Sequence, residues 1–130
     1  MSTTESTSST DASSSSSNSV FSLFVTLQFS SIDYKHQFLR DIQPLATFVK
    51  QHEPETLAYE VLLSDKDDLQ VLIVERYQNK DKSFLQVHRS SKEFLTFRPK
   101  LQAMVDAGHV TLSGQSYLDA NVGFVGRPNA

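Results

Sequence analysis

The sequence predicts an α+β domain, and three observations predict it. Three short segments alternate apolar and polar residues at the period of a strand, and a fourth is an apolar run rich in β-branched residues. Two longer segments carry a single apolar stripe at the period of a helix. The segments follow one another as strand, helix, strand, strand, helix, strand, the ferredoxin-like βαββαβ order of a four-stranded antiparallel sheet with helices on one face.

The first strand runs from Val20 to Phe29, with Phe21, Leu23, Val25 and Leu27 on one face and Ser22, Phe24, Thr26 and Gln28 on the other. Ser30 to Asp33 is a turn, with Asp33 the expected N-cap. A helix from Tyr34 to His52 follows, its stripe being Tyr34, Phe38, Ile42, Leu45 and Phe48 or Val49. Pro44 lacks a backbone donor and crowds the preceding turn, so a kink or a split into two short helices is expected there. Thr56–Leu63 is the second strand, with Leu57, Tyr59, Val61 and Leu63 on one face. A charged turn leads to the third, from about Leu69 to Tyr77, and the short polar link makes the pair a hairpin. The second helix is expected from Lys92 to about Met104, capped by Ser90 or Ser91 and stopped by Gly108, with Phe94, Phe97, Leu101 and Met104 or Val105 inward. Pro99 repeats the problem of Pro44. His109–Ser113 is the fourth strand. The residues from Gly114 on are expected to be extended.

The chain has 130 residues, which suits one domain. Met1 to Ser19 holds ten Ser and four Thr and is expected to be a disordered tail. The domain is then placed at 20–118, with 119–130 a C-terminal arm whose Val122, Phe124 and Val125 would pack on something. Absence of Cys excludes disulfides, thiol nucleophiles and Cys-based metal sites. The His residues do not cluster, so no metal is expected. All four Gly fall after residue 107, which excludes the usual phosphate loops and leaves no cofactor expected. A net charge of −3 argues against a nucleic-acid partner. No apolar run suits a membrane span, and with no basic residue before Lys35 neither a signal nor a transit peptide is legible, so a cytoplasmic protein is expected. The sheet face away from the helices keeps apolar residues such as Phe24, and a second copy of the chain, joined sheet to sheet, is its expected cover.

The chemically suggestive stretch is Val71 to Leu95. The apolar run Val71–Val74 is a strand, and alternation puts Glu75 and Tyr77 on one face and Arg76 on the other. Glu75 and Arg76 read first as a cross-strand ion pair. Asn79 or Asp81 can cap a short helix. Phe84, Leu85 and His88 recur at helical spacing, which turns His88 inward. His88 reads either as a satisfied helix-end imidazole or as a base in a cavity between helices and sheet, since its ordinary pKa lies near neutrality. Tyr77 reads either as a rim tyrosine or as a donor to a bound carbonyl, and Asn79 as a cap or a ligand contact.

Three places resemble the antibiotic biosynthesis monooxygenase family of dimeric α+β barrel proteins. Glu53-Pro-Glu-Thr-Leu-Ala-Tyr-Glu60 is similar to that family's Glu-Pro-Gly-x-Leu-x-Tyr-Glu entry into the second strand. Val74-Glu-Arg-Tyr77 resembles its third-strand ending. Phe84, His88, Ser91 and Phe94 resemble its helix pattern Phe-x-x-His-x-x-Ser-x-His-Phe, with one residue more before the His. Glu55 stands where the family usually has Gly, and Glu93 where many members carry a second His. The Trp of the haem-degrading branch is missing. The resemblance implies a cofactor-independent monooxygenase acting on a small aromatic or quinol-type substrate, with His88 as base and Tyr77 and Asn79 as orienting donors. The alternatives are a non-catalytic dimeric module that binds a small molecule or serves a stress response, and an isomerase of a small carbonyl compound.

Overall fold

The computed structural model describes residues 19–127. Most of the Ser/Thr-rich tail and the last three residues of the arm lie outside the described residues. The element order is β1 (Phe21–Phe29), α1 (Ile32–His52), β2 (Thr56–Leu63), β3 (Gln70–Tyr77), a short wide helix (Lys80–Val87), a single tighter turn (His88–Ser90), α2 (Lys92–Asp106) and β4 (Val110–Leu118). The four strands form one antiparallel sheet in the order β2-β3-β1-β4. The fold is the expected α+β ferredoxin-like one.

Alternation decides which face of the sheet meets the helices. Leu23, Leu27 and Phe29 of β1 and Val71 and Ile73 of β3 are buried. Helix α1 covers them with Phe38, Ile42, Leu45 and Val49, and α2 with Phe97, Leu101 and Met104. These are the stripes read from spacing. The second strand differs from expectation at its ends: Leu57 and Leu63 are exposed, while Tyr59 and Val61 pack on the core. β2 is an edge strand, with an irregularity in pairing between Thr56 and Ala58, so its ends are poorly covered.

Three local expectations are corrected. α1 begins at Ile32, and Ser31 rather than Asp33 caps it by accepting from Tyr34 N. α1 and α2 both run through their prolines without dividing. Pro44 and Pro99 are exposed, so each lies on the water-facing side of its helix while the opposite stripe holds the helix on the sheet. β4 continues to Leu118 instead of ending at Ser113, because Gly114 to Leu118 pair in register with Val25 to Phe21. Gly108 closes α2 at φ +78°, a conformation that favours glycine, and the next amide, His109 N, donates to Met104 O at 2.8 Å.

Candidate active site

The end of the sheet where β1 begins and β3 ends carries the buried polar groups. Glu75 and Tyr77, two residues apart on β3, point to the helical side, as alternation requires. The register sets Leu23 and Tyr59 on either side of Glu75, and Phe21 beside Tyr77. Above them passes the segment that carries His88.

That segment is held from its start. Asn79 Oδ1 accepts from Lys82 N at 2.7 Å and Ser83 N at 3.2 Å, so Asn79 is its N-cap. Buried Ser83 donates from Oγ to Glu55 Oε1 at 2.8 Å, and Lys82 Nζ lies 3.4 Å from Glu55 Oε2. The Ser83 and Lys82 hydrogen bonds hold the Glu55 carboxyl below its ordinary pKa. From Lys80 to Val87 the backbone takes the wide π-helical form, then tightens into one 3₁₀ turn at His88–Ser90. A π-helical stretch departs from regular helix and is often found at functional sites. It turns Phe84 and His88 inward, whereas Leu85 is left 40% exposed, against the expectation that it follows them.

His88 is 1% exposed and lies among four aromatic rings. Ring centroids lie 5.1 Å away for Phe94, 5.3 Å for Tyr59, 5.5 Å for Tyr77 and 6.3 Å for Phe84. The Arg89 guanidinium lies over the rings of Phe84 and Phe94. His88 Nδ1 is 3.0 Å from Oε1 of Glu53, itself 3% exposed, and Thr56 Oγ1 donates to the same oxygen at 3.0 Å. A carboxylate only accepts, so Nδ1 carries the proton, and in that neutral tautomer Nε2 would present a lone pair. Glu53 Oε2 is buried without a hydrogen-bond partner among the described residues, a condition that ordinarily costs about 1–3 kcal/mol.

Tyr77 is fully buried and its hydroxyl donates to Glu75 Oε1. Burial pushes the Glu75 carboxyl above its ordinary value, opposed by the Tyr77 hydrogen bond and the nearby His88 and reinforced by Glu53. Burial, helped by the same carboxylates, pushes the Tyr59 and Tyr77 phenols well above theirs. Both tyrosines therefore stay protonated and act as neutral hydrogen-bonding groups. The expected Glu75–Arg76 pairing is replaced: Arg76 Nη1 donates to Ser22 Oγ at 3.3 Å on the other side of the sheet. Neighbours along a strand point to opposite faces, and Tyr77, not a cation, meets the buried carboxylate.

Of the three residues singled out from sequence, the fold brings His88 and Tyr77 together and uses Asn79 to cap the segment between them. Sequence reasoning missed Glu53, Thr56 and Tyr59 as neighbours of His88. All three lie within the Glu53–Glu60 motif, which was legible as a pattern but not as a contact 35 residues away. No group of three or more His, Cys, Asp or Glu among the described residues is placed to hold a metal ion. No helix among them is long and apolar enough to cross a membrane.

The chain is thus a small α+β protein of ferredoxin-like fold that buries a His–carboxylate pair among aromatic rings. Residues 31–100 match the model of the antibiotic biosynthesis monooxygenase family. The chain belongs to that family. No curated protein matches it in sequence. Solved structures similar to it include a conserved protein of Bacteroides thetaiotaomicron described as a possible oxidoreductase, at 17% identity and TM-score 0.64, covering 78% of this chain and 99% of that one. A Nitrosomonas europaea protein, described as a candidate antibiotic biosynthesis monooxygenase, aligns at 16% identity and TM-score 0.65, covering 81% and 94%. A mutant of SnoaB, a cofactor-independent oxygenase from Streptomyces nogalater, aligns at 12% identity and TM-score 0.59, covering 80% and 96%. At such identities these likenesses speak for the fold alone.

Proposed function

We propose that the chain is a cofactor-independent monooxygenase of a small aromatic or quinol-type substrate, with His88 as its base. The observation that carries this is the His88–Glu53 pair inside its aromatic walls. Glu53 fixes the tautomer that leaves Nε2 free to accept a proton, and stabilises the imidazolium that results. An electron-rich phenol or anthrone, once deprotonated, reduces O₂ itself. In an anthrone, a C–H proton passes to His88, the carbanion carbon bonds to O₂, and the peroxide then loses water to leave a carbonyl: CH₂ plus O₂ gives C=O plus H₂O. Tyr77 is an orienting group beside His88, its hydroxyl committed to Glu75. Asn79 positions the segment that carries His88. Because His88 is closed from solvent, substrate entry requires the aromatic wall to open, and the π-helical stretch is where its backbone is least regular.

Oxygen uptake with a panel of hydroquinones and anthrones tests the role of His88. General-base catalysis is worth about 10²–10⁴-fold, so His88→Ala is expected to lower the rate by at least about a hundredfold. Equal rates in the two proteins would remove His88 as base. The near-complete burial of His88 favours a second reading, a module that binds a small molecule without turnover; a thermal shift with the same panel and no product by mass spectrometry would establish it.

We also propose that the sheet face away from the helices is covered by a second copy of the chain. Phe24 and Tyr117 meet edge to face there at 5.5 Å, and Leu62 and Tyr117 are 42% and 52% exposed. Light scattering at micromolar concentration is expected to give twice the chain mass, and a monomer mass would reject it. A chain without cysteine supports a reducing compartment, and the cytoplasm is the compartment we assign.

A further inference from the structure

The His88 site contains one buried acceptor that its own residues do not satisfy. Glu53 Oε1 takes both local donors, His88 Nδ1 and Thr56 Oγ1, each at 3.0 Å. Oε2 of the same carboxylate is buried and receives nothing from the described residues. Buried polar atoms are nearly always paired, and each exception calls for a reason. The polar groups nearby are otherwise engaged or of the wrong kind. Tyr77 donates to Glu75, and no hydrogen bond joins Glu75 to Glu53 Oε2 among the described residues.

A carboxylate oxygen accepts, so whatever completes Oε2 is a donor. The rings nearby narrow the class further: Tyr59, Tyr77, Phe84 and Phe94 pack on the imidazole that Glu53 holds, so a ligand that reaches Oε2 enters among rings, which suit a flat aromatic body. We propose that Glu53 is a ligand-binding residue of this site and that its Oε2 accepts the hydroxyl of an aromatic ligand. The site then selects phenols and quinols by their O–H and rejects the corresponding ethers, which have the same shape but no proton to give. Glu53 acts twice, positioning His88 through one oxygen and selecting the ligand through the other. This rests on the His88 site proposed above, although not on its turnover.

The test is equilibrium binding of hydroquinone and of its dimethyl ether to the full chain, followed by NMR without oxygen. The wild-type protein is expected to bind hydroquinone about tenfold or more tightly than the ether, the worth of one hydrogen bond to a charged group. Glu53→Gln keeps the size of the side chain and can turn its amide oxygen to His88 Nδ1, which leaves a donor where Oε2 stood. That variant is expected to lose the preference or to reverse it. The nitrogen shifts of the His88 ring report whether Nδ1 still carries the proton. Equal affinity of the wild-type protein for both compounds, or no binding of either, would overturn the proposal; this arm needs no variant to fold. A preference that survives in Glu53→Gln would also overturn it. Binding with the preference but without oxygen uptake would reject the monooxygenase reading and leave this one standing.

Discussion

The two ends of the sheet are packed in different chemistry. Toward the end of β1, Leu27, Phe29, Phe38, Ile42, Leu45, Val71, Phe97, Leu101 and Val110 close on one another as a purely apolar cluster. Toward its start, Phe21, Leu23, Tyr77 and Phe84 form a smaller cluster, and Ser83, Glu53, Glu75 and His88 are buried close by. At the first end, stability comes from area and shape, and a missing side chain leaves a cavity. At the second, each polar group depends on one named partner, and a missing side chain leaves an orphan. Evolution of a stable fold alone has no need of the second arrangement, which is why function is sought there.

The largest effect expected belongs to the apolar end. Phe38 is 1% exposed and touches rings on both sides, with centroids 5.5 Å from Phe29 and 6.0 Å from Phe97. Phe38→Ala is expected to cost about 3–5 kcal/mol in urea unfolding. Were it to cost no more than removal of a hydroxyl at the other end, the division into a packed end and a paired end would fail.

The polar end is expected to answer to pH instead. The Glu75 carboxyl is raised above its ordinary value of 4.5, chiefly by burial. The sign follows from proton counts. Just above pH 4.5 the unfolded chain releases this proton while the folded chain still holds it, so raising the pH favours unfolding. The contribution of Glu75 is therefore present in full below pH 4.5 and is lost as pH rises through the folded value. Glu75→Gln removes that loss, so its stability relative to wild type should grow with pH in this window, as read from urea midpoints. Tyr77→Phe sharpens the point. It removes the hydrogen bond that lowers the Glu75 pKa, costs about 1–3 kcal/mol by orphaning the carboxylate, and shifts the window to higher pH. A wild-type and a Glu75→Gln curve that stay parallel would show that Glu75 is ionised when buried.

The same contrast explains what could be read from the sequence. Apolar packing is written in local periodicity, so the stripes Phe38, Ile42, Leu45, Val49 and Phe97, Leu101, Met104 were legible. The family motifs marked His88 and Glu53 separately. Their contact was not legible, because nothing in the spacing of a helix end and a residue 35 positions later encodes a hydrogen bond. Glu75 was misread as an ion pair with Arg76 because charge was weighed before burial. The second half of β4 was missed for the opposite reason. Ser113, Gly114, Gln115 and Ser116 carry no alternation, and they are strand only because the β1 backbone beside them has groups to pair. The prolines misled because the cost of a proline was weighed without knowing that Pro44 and Pro99 face water.

The smallest effect expected lies at the junction of the two readings of Asn79. As the cap of the segment bearing His88, its side chain satisfies two backbone amides, and Asn79→Ala is expected to cost about 1 kcal/mol. The loss should be local: faster amide exchange at Lys82 and Ser83, with the amides of α1 unchanged. Asn79→Asp keeps an accepting oxygen and should restore most of the protection. A cap acts on activity only by loosening His88, so oxygen uptake should fall modestly and recover in Asn79→Asp. An orienting donor behaves otherwise, because Asp has no N–H to offer. If Asn79→Asp is as inactive as Asn79→Ala while the exchange rates recover, the amide of Asn79 reaches the substrate, and the paired end of the sheet extends one residue beyond the segment it caps.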